Sequence, residues 1–283
     1  MKGAARIGPF NHPGDQARGV FCVEGEKSIW LTLFIAALSG GLASTLIEQF
    51  FIAPIRAHWR QRKAAKNIVD AHLDPLLKAA DAIVGKTISL AERDFVPLVG
   101  QSSNESDTDL IGLAYLYASF WGRVEILRAE SLGISISGDS RGRKLSRFIT
   151  CFESQRVRLV NRTHQKAIGE ITTDLLAGGG LRTIGVVEFG EKLAASKFAG
   201  SWCQPLIDLL RRTSDRSTKQ KLLIYGVVLH SLVDTLDPNH HSTHKRDSYP
   251  NKLTKESKRR IEYLVFREYL QGTGAENTYT KPE

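Results

Sequence analysis

The feature that most constrains this chain is the stretch Ser28 to Ile47, SIWLTLFIAALSGGLASTLI, twenty residues without Asp, Glu, Lys, Arg or His. About 20 apolar residues at ~1.5 Å rise each cross a hydrocarbon core of ~30 Å. Phe50, Phe51, Ile52 and Ile55 prolong the apolar run, and Trp30 and Trp59 stand near its two ends. Amphipathic aromatic rings favour that interfacial position. A core helix of a soluble protein of this length normally carries charge on its solvent side. The apolar part of a cleaved secretory signal is shorter and begins earlier. Residues 28–55 therefore read as one N-terminal transmembrane helix.

The flanks give that helix a direction. Arg56, Arg60, Arg62, Lys63 and Lys66 follow it, and residues 49–69 contain no acid. The leader, residues 1–27, balances Lys2, Arg6, Arg18 and Lys27 against Asp15, Glu24 and Glu26, a net of 4 − 3 = +1. Basic residues resist translocation, so the N-terminus is expected outside and the C-terminal domain in the cytoplasm. Within the span, Ala36, Gly40 and Ser44 recur at intervals of four and share a helix face, where small side chains let two backbones approach closely. This row is the expected seam of a homodimer; the plainer account is that small residues are common in membrane helices.

The leader has Gly and Pro but no periodicity and reads as disordered. Residues 56–270 are long enough for one hydrophobic core. Their periodicity predicts an all-α cytoplasmic domain of six to eight helices, and residues 271–283 read as a disordered tail. Asp74-Pro75 resembles a helix start, with Pro at the first helical position. Asp109 to Ser131 is a clear amphipathic helix with Leu110, Leu113, Tyr117, Phe120, Trp121, Val124 and Leu127 on one face. Helices are further expected over 144–159, 163–176, 201–212, 215–236 and 255–270. Residues 184–200 fit either a short strand or a helix. Gly178 to Gly180 follows a predicted helix and reads as its cap and loop.

Three cysteines, Cys22, Cys151 and Cys203, form no CxxC pair, so neither a disulfide framework nor a Cys-based zinc module is indicated. Phosphate-loop, dinucleotide-binding, nucleophile-elbow and HExxH patterns are absent from the sequence. No cofactor is implied. A metal-site reading attaches to His230, Asp234, His240 and His241, with Asp237 and His244 close by, because imidazole and carboxylate within a few residues suit a divalent ion. Their spacing matches no established ligand pattern, and a helix end followed by a polar loop accounts for them more simply.

The net charge is +9 and the isoelectric point about 9.5. Two basic groups make a candidate phosphate or lipid surface: Arg56, Arg60, Arg62 and Lys63 beside the span, and Arg143, Lys144 and Arg147 within a segment, 141–166, whose only acid is Glu153. Anionic lipid attracts such groups at about 1 kcal/mol per basic residue. Exposed aromatics of the kind that stack on single strands do not accompany them, so nucleic acid is a disfavoured partner. The sequence thus predicts a single-pass membrane protein with a non-enzymatic scaffold, sensor or interaction domain at the inner face. Its expected partners are membrane lipid, a second copy of the span and a further protein. The alternative is a membrane-tethered, metal-dependent enzyme or effector acting on a phosphate-bearing substrate.

Overall fold

A computed structural model describes residues 30–36, 48–96 and 103–280, with the side chains of 103–107, 275 and 277 left aside. It divides into two compact units, Met1–Ala57 and His58–Glu283. In the first, residues 30–36 are helical and every one is exposed. A π turn, Glu48–Ile52, leads into the start of α1 (Ala53–Glu92), and Arg56 reaches back to Glu48 at 3.3 Å. The remainder of the predicted span, the leader, and Gly40 and Ser44 of the predicted seam lie outside the described residues. Ala36 is described, as an exposed helical residue.

The second unit is predominantly helical, as the periodicity predicts. After α1 come α2 (Ser103–Glu130), α3 (Ser140–Glu153), α4 (Arg162–Ile171), strands β1 (Thr173–Leu175) and β2 (Leu181–Thr183), α5 (Val186–Ala195), α6 (Lys197–Arg211), α7 (Arg216–Leu236) and α8 (Lys255–Ile261). α8 runs on through a π turn, Glu262–Phe266, into Arg267–Tyr269, and α9 (Ala275–Thr280) closes the described chain. α2 packs on α4 and α6, α7 on α3, and α9 on α7 and α8.

The α2 face read from the sequence is core throughout: Leu110, Leu113, Tyr117, Phe120, Trp121, Val124 and Leu127 are all buried. Thr108–Glu130 has the length and hydropathy to cross a bilayer, but 61% of that window is buried inside the domain. Its aromatic rings form one cluster with the neighbouring helices. Tyr117 and Tyr225 meet edge to face at 5.7 Å, Phe120 and Phe152 at 5.2 Å, and Trp121 Nε1 donates to the Tyr225 hydroxyl at 2.8 Å. α7 is buried almost all round from Leu222 to Val233, so it is the central helix rather than a surface one.

Three expectations are corrected. Helices α1 to α8 fall in the predicted domain and α9 in the predicted tail; the ambiguous segment 184–200 takes its helical reading and supplies α5 and the start of α6, divided at Ser196, whose hydroxyl caps α6 by accepting from Ala199 N. Residues 173–176 are not the end of a helix. α4 stops at Ile171, where the Thr172 hydroxyl turns to the Ala118 carbonyl at 2.9 Å, and β1 pairs antiparallel with β2 around a turn carrying Gly179 at φ +85°. β-branched Thr172 and Thr173 favour that exit. Pro75 does not start a helix but lies inside α1. An internal proline costs about 3 kcal/mol, and burial of Leu73, Leu76 and Leu77 around it, at about 2 kcal/mol each, offsets this. The tail beyond Gly272 is helical in α9, where Tyr279 is 1% exposed and packs on His230 and Tyr249.

Candidate functional site

The histidine group was the first candidate, and the structure sorts it. His230 lies on the buried length of α7, with Nδ1 hydrogen-bonded to the Tyr279 hydroxyl at 2.5 Å. Its Nε2 faces Asp234 Oδ1, one helical turn on, at 3.7 Å, and His240 Nε2 approaches the same oxygen at 3.8 Å. His241 is exposed and contributes its backbone N–H to Asp237. Three of the four predicted residues therefore come together and the fourth does not. Among the described residues no group of three or more His, Cys, Asp or Glu side chains is arranged to hold a metal ion.

The geometry around them fastens a loop. Asp237 ends α7 and accepts from the N–H groups of His241, Ser242 and Thr243 and from the Thr243 hydroxyl. Burial pushes its carboxyl up, but those donors outweigh burial and hold it below the usual value. Asp81, from α1, receives His244 Nδ1 at 2.8 Å and a two-pronged contact from Arg246. Burial again opposes its ionisation, and the hydrogen bonds from Arg246 and His244 win, leaving its pKa lowered. Burial lowers the His230 pKa; the Asp234 carboxylate opposes this and His240 adds to it. Sequence reading found the histidines but missed Asp81, Arg246 and Tyr279, which arrive from distant parts of the chain.

The predicted phosphate or lipid surface is exposed as expected of basic helix faces. Arg60, Arg62 and Lys63 stand on the exposed early part of α1, whereas Arg56 is ion-paired with Glu48. On α3, Arg143, Lys144 and Arg147 are exposed, and Arg143 and Arg147 line a recess of about 470 Å³ with Ser137, Thr150 and Glu268. Their neighbour Arg141 is engaged by Asp70 and Asp139.

A stronger concentration of positive charge lies elsewhere. A recess of about 1190 Å³ lies between the start of α7, the end of α6 and α8, lined by Arg212, Arg216, Lys221, Lys255 and Arg260 against two acids, Asp215 and Glu256. Lys221 is half-buried there, and its ammonium donates to the Leu159 carbonyl at 2.8 Å. Arg260 Nη2 donates to the Arg156 carbonyl at 2.9 Å and Arg212 Nε to the Asp208 carbonyl at 3.3 Å. Burial first, then the charges of Arg260, Arg158 and Arg212, lower the Lys221 pKa. A second recess of about 470 Å³ shares Lys221 and adds Arg158. Arg158 stands in the basic segment recognised from the sequence; the other members come from three further segments, so no local pattern announced the group.

No family model, curated protein or solved structure matches the chain.

Proposed function

We propose that this is a single-pass membrane protein, N-terminus outside, whose helical domain works at the cytoplasmic face as a non-enzymatic interaction module. The observation that carries the reading is the exposure of large apolar side chains in the first part of the uncharged run and just after it. Trp30 and Phe34 are each 71% exposed, Phe50 is 70% exposed and Phe51 is 67% exposed, with Leu31, Leu33, Ile35 and Ile55 exposed beside them. So many large apolar side chains exposed to water are unfavourable there and mark contact with lipid or protein. The basic residues from Arg60 to Lys66, exposed and unmatched by acids in the sequence around them, supply the inward bias. The predicted seam of Ala36, Gly40 and Ser44 adds a second copy of the span as a partner.

Fractionation of cells expressing the full chain tests this. The protein is expected in carbonate-washed membranes and in detergent extracts, and a variant lacking residues 1–55 is expected in the soluble fraction. A C-terminal tag should resist protease in sealed right-side-out vesicles. Recovery of the full chain as soluble protein overturns the anchor; digestion of the tag overturns the orientation. Exchange of Gly40 for Ile, which blocks close backbone approach, should lower cross-linked dimer without releasing the chain from the membrane.

A further inference from the structure

We propose that the recess around Lys221 is a binding site for an oligophosphate group, either on a free molecule or on a lipid headgroup. The inference stands independently of the membrane anchor. It rests on what surrounds Lys221. Arg212 from just past the end of α6, Lys221 from α7 and Arg260 from α8 line one concavity, and Arg158 borders the adjoining recess that Lys221 also lines. None of these four forms an ion pair with a described carboxylate; the hydrogen bonds of Lys221, Arg212 and Arg260 go to backbone carbonyls. A half-buried ammonium that shares its recesses with three guanidinium groups is destabilised by desolvation and by like charge. The lowered Lys221 pKa has those two causes. A multiply charged anion in the recess would relieve both.

Phosphate fits this lining better than a carboxylate does. Arg presents a planar fork matched to phosphate oxygens, and Lys adds a compact point charge. The first turn of α7 adds to them: Arg216, Ser217 and Thr218 line the same recess, and Asp215 at the N-cap makes no side-chain hydrogen bond to that turn. The early N–H groups of a helix have no intrahelical acceptor and favour an anion. Five lining cations against two lining acids, in a space of about 1190 Å³, exceed what one phosphate would neutralise or fill, so two or more linked phosphates are inferred. No aromatic side chain lines the recess, so base stacking has no platform there.

The test uses the full chain purified in neutral detergent and titrated with inorganic tripolyphosphate in a calorimeter. In parallel the chain is reconstituted in nanodiscs of phosphatidylcholine alone or doped with phosphatidylinositol bisphosphate, and headgroup engagement is read as protection of Lys221 from amine labelling. Binding should weaken about tenfold or more in Lys221→Gln and in Arg260→Gln, persist in Lys221→Arg, and be unaffected by Arg143→Gln with Arg147→Gln. Tripolyphosphate binding with that pattern supports the site and assigns a free ligand. Protection by the doped nanodiscs alone, with the same dependence, supports the site and assigns a lipid headgroup. Lack of both responses overturns the proposal, as does binding that survives Lys221→Gln and Arg260→Gln or falls equally with the α3 pair. Should Lys221→Gln disturb folding by circular dichroism, the exposed Arg212→Gln with Arg260→Gln carries the same expectation.

Discussion

Asp81 and Arg246, 165 positions apart in sequence, meet in a two-pronged contact in which Arg246 Nε donates to Oδ1 and Nη2 donates to Oδ2 at 3.0 Å. The pair fastens the loop after α7 to α1, and His244 adds a third donor to the same carboxylate. The Asp81 side chain is 7% exposed and that of Arg246 26%. Removing Asp81 leaves the partly buried Arg246 charge unmatched, which costs about 3 kcal/mol. Asp81→Ala should therefore lower the urea midpoint of the helical domain by that equivalent. A loss below about 1 kcal/mol would assign the pair a surface-type contribution instead.

Gly85 lies under the same guanidinium. A Cβ at this position would meet Arg246 Nη1 at 2.6 Å and Cζ at 2.7 Å. The arginine tip is flexible in principle, but Asp81 holds it. Gly85→Ala should therefore destabilise the domain by about 1–3 kcal/mol through overpacking. In an Arg246→Ala background the same exchange should be neutral or mildly stabilising, because alanine is the better helix former by about 1 kcal/mol. A double-mutant cycle measures the coupling, and additive effects would show that the guanidinium does not constrain this position.

Trp121 Nε1 and the Tyr225 hydroxyl form a buried hydrogen bond in the aromatic cluster between α2 and α7. Tyr225→Phe keeps the ring and leaves the indole N–H without that acceptor. The expected cost is about 1–3 kcal/mol, with the fold retained by circular dichroism. Trp121→Phe together with Tyr225→Phe should cost less than the two single changes combined.

The core was legible where one helix face carries the periodicity. The seven α2 residues from Leu110 to Leu127 are buried, and the end of α7 at Asp237-Pro238 follows from the restriction that proline imposes on the preceding residue. Elements decided by tertiary contact were not legible. α9 is a short polar helix in which Tyr279 is buried and finds His230 and Tyr249 across the fold. Pro75 signals a helix start locally, yet the leucines around it keep α1 continuous. The site shows the same division. The histidines stand out as a cluster in sequence, whereas Asp81, which receives His244, lies on α1, and Tyr279, which meets His230, lies on α9. The Lys221 group is assembled from segments near 158, 212, 221 and 260: Arg158 belongs to the basic segment 141–166, whereas Arg212, Lys221 and Arg260 come from separate elements with no shared local pattern.

Stability should respond to pH in two steps. Burial holds the His230 pKa below its ordinary 6.5, so the folded protein keeps this imidazole neutral where the unfolded chain takes up a proton. The unfolded state then binds more protons as pH falls, and stability declines below about 6.5. The Asp81 and Asp237 carboxyls are held below 3.8; their contribution is present above that value and is lost as pH falls through their lower folded values. A plateau above pH 6.5, a shallow decline beneath it and a steeper one below about pH 4 are expected in urea titrations. His230→Gln should remove the shallow step and leave the steep one.

Cys151 and Cys203 should be inert in the folded domain. Both are buried and free, and burial pushes each thiol up to about 12. Thiolate is the reactive form, so at neutral pH only a minute fraction of either group is nucleophilic, and neither is within reach of a reagent. In a Cys22→Ser variant, labelling with iodoacetamide under native conditions should therefore be slow at both positions and become complete in urea. Rapid native labelling of Cys151 would mean that the contact between α3 and α7 opens readily, because Cys151 is fully buried on α3 among the core residues that join these two helices. Rapid labelling confined to Cys203 would place the opening at α6 instead, where Cys203 is buried beside Leu206 and Leu210.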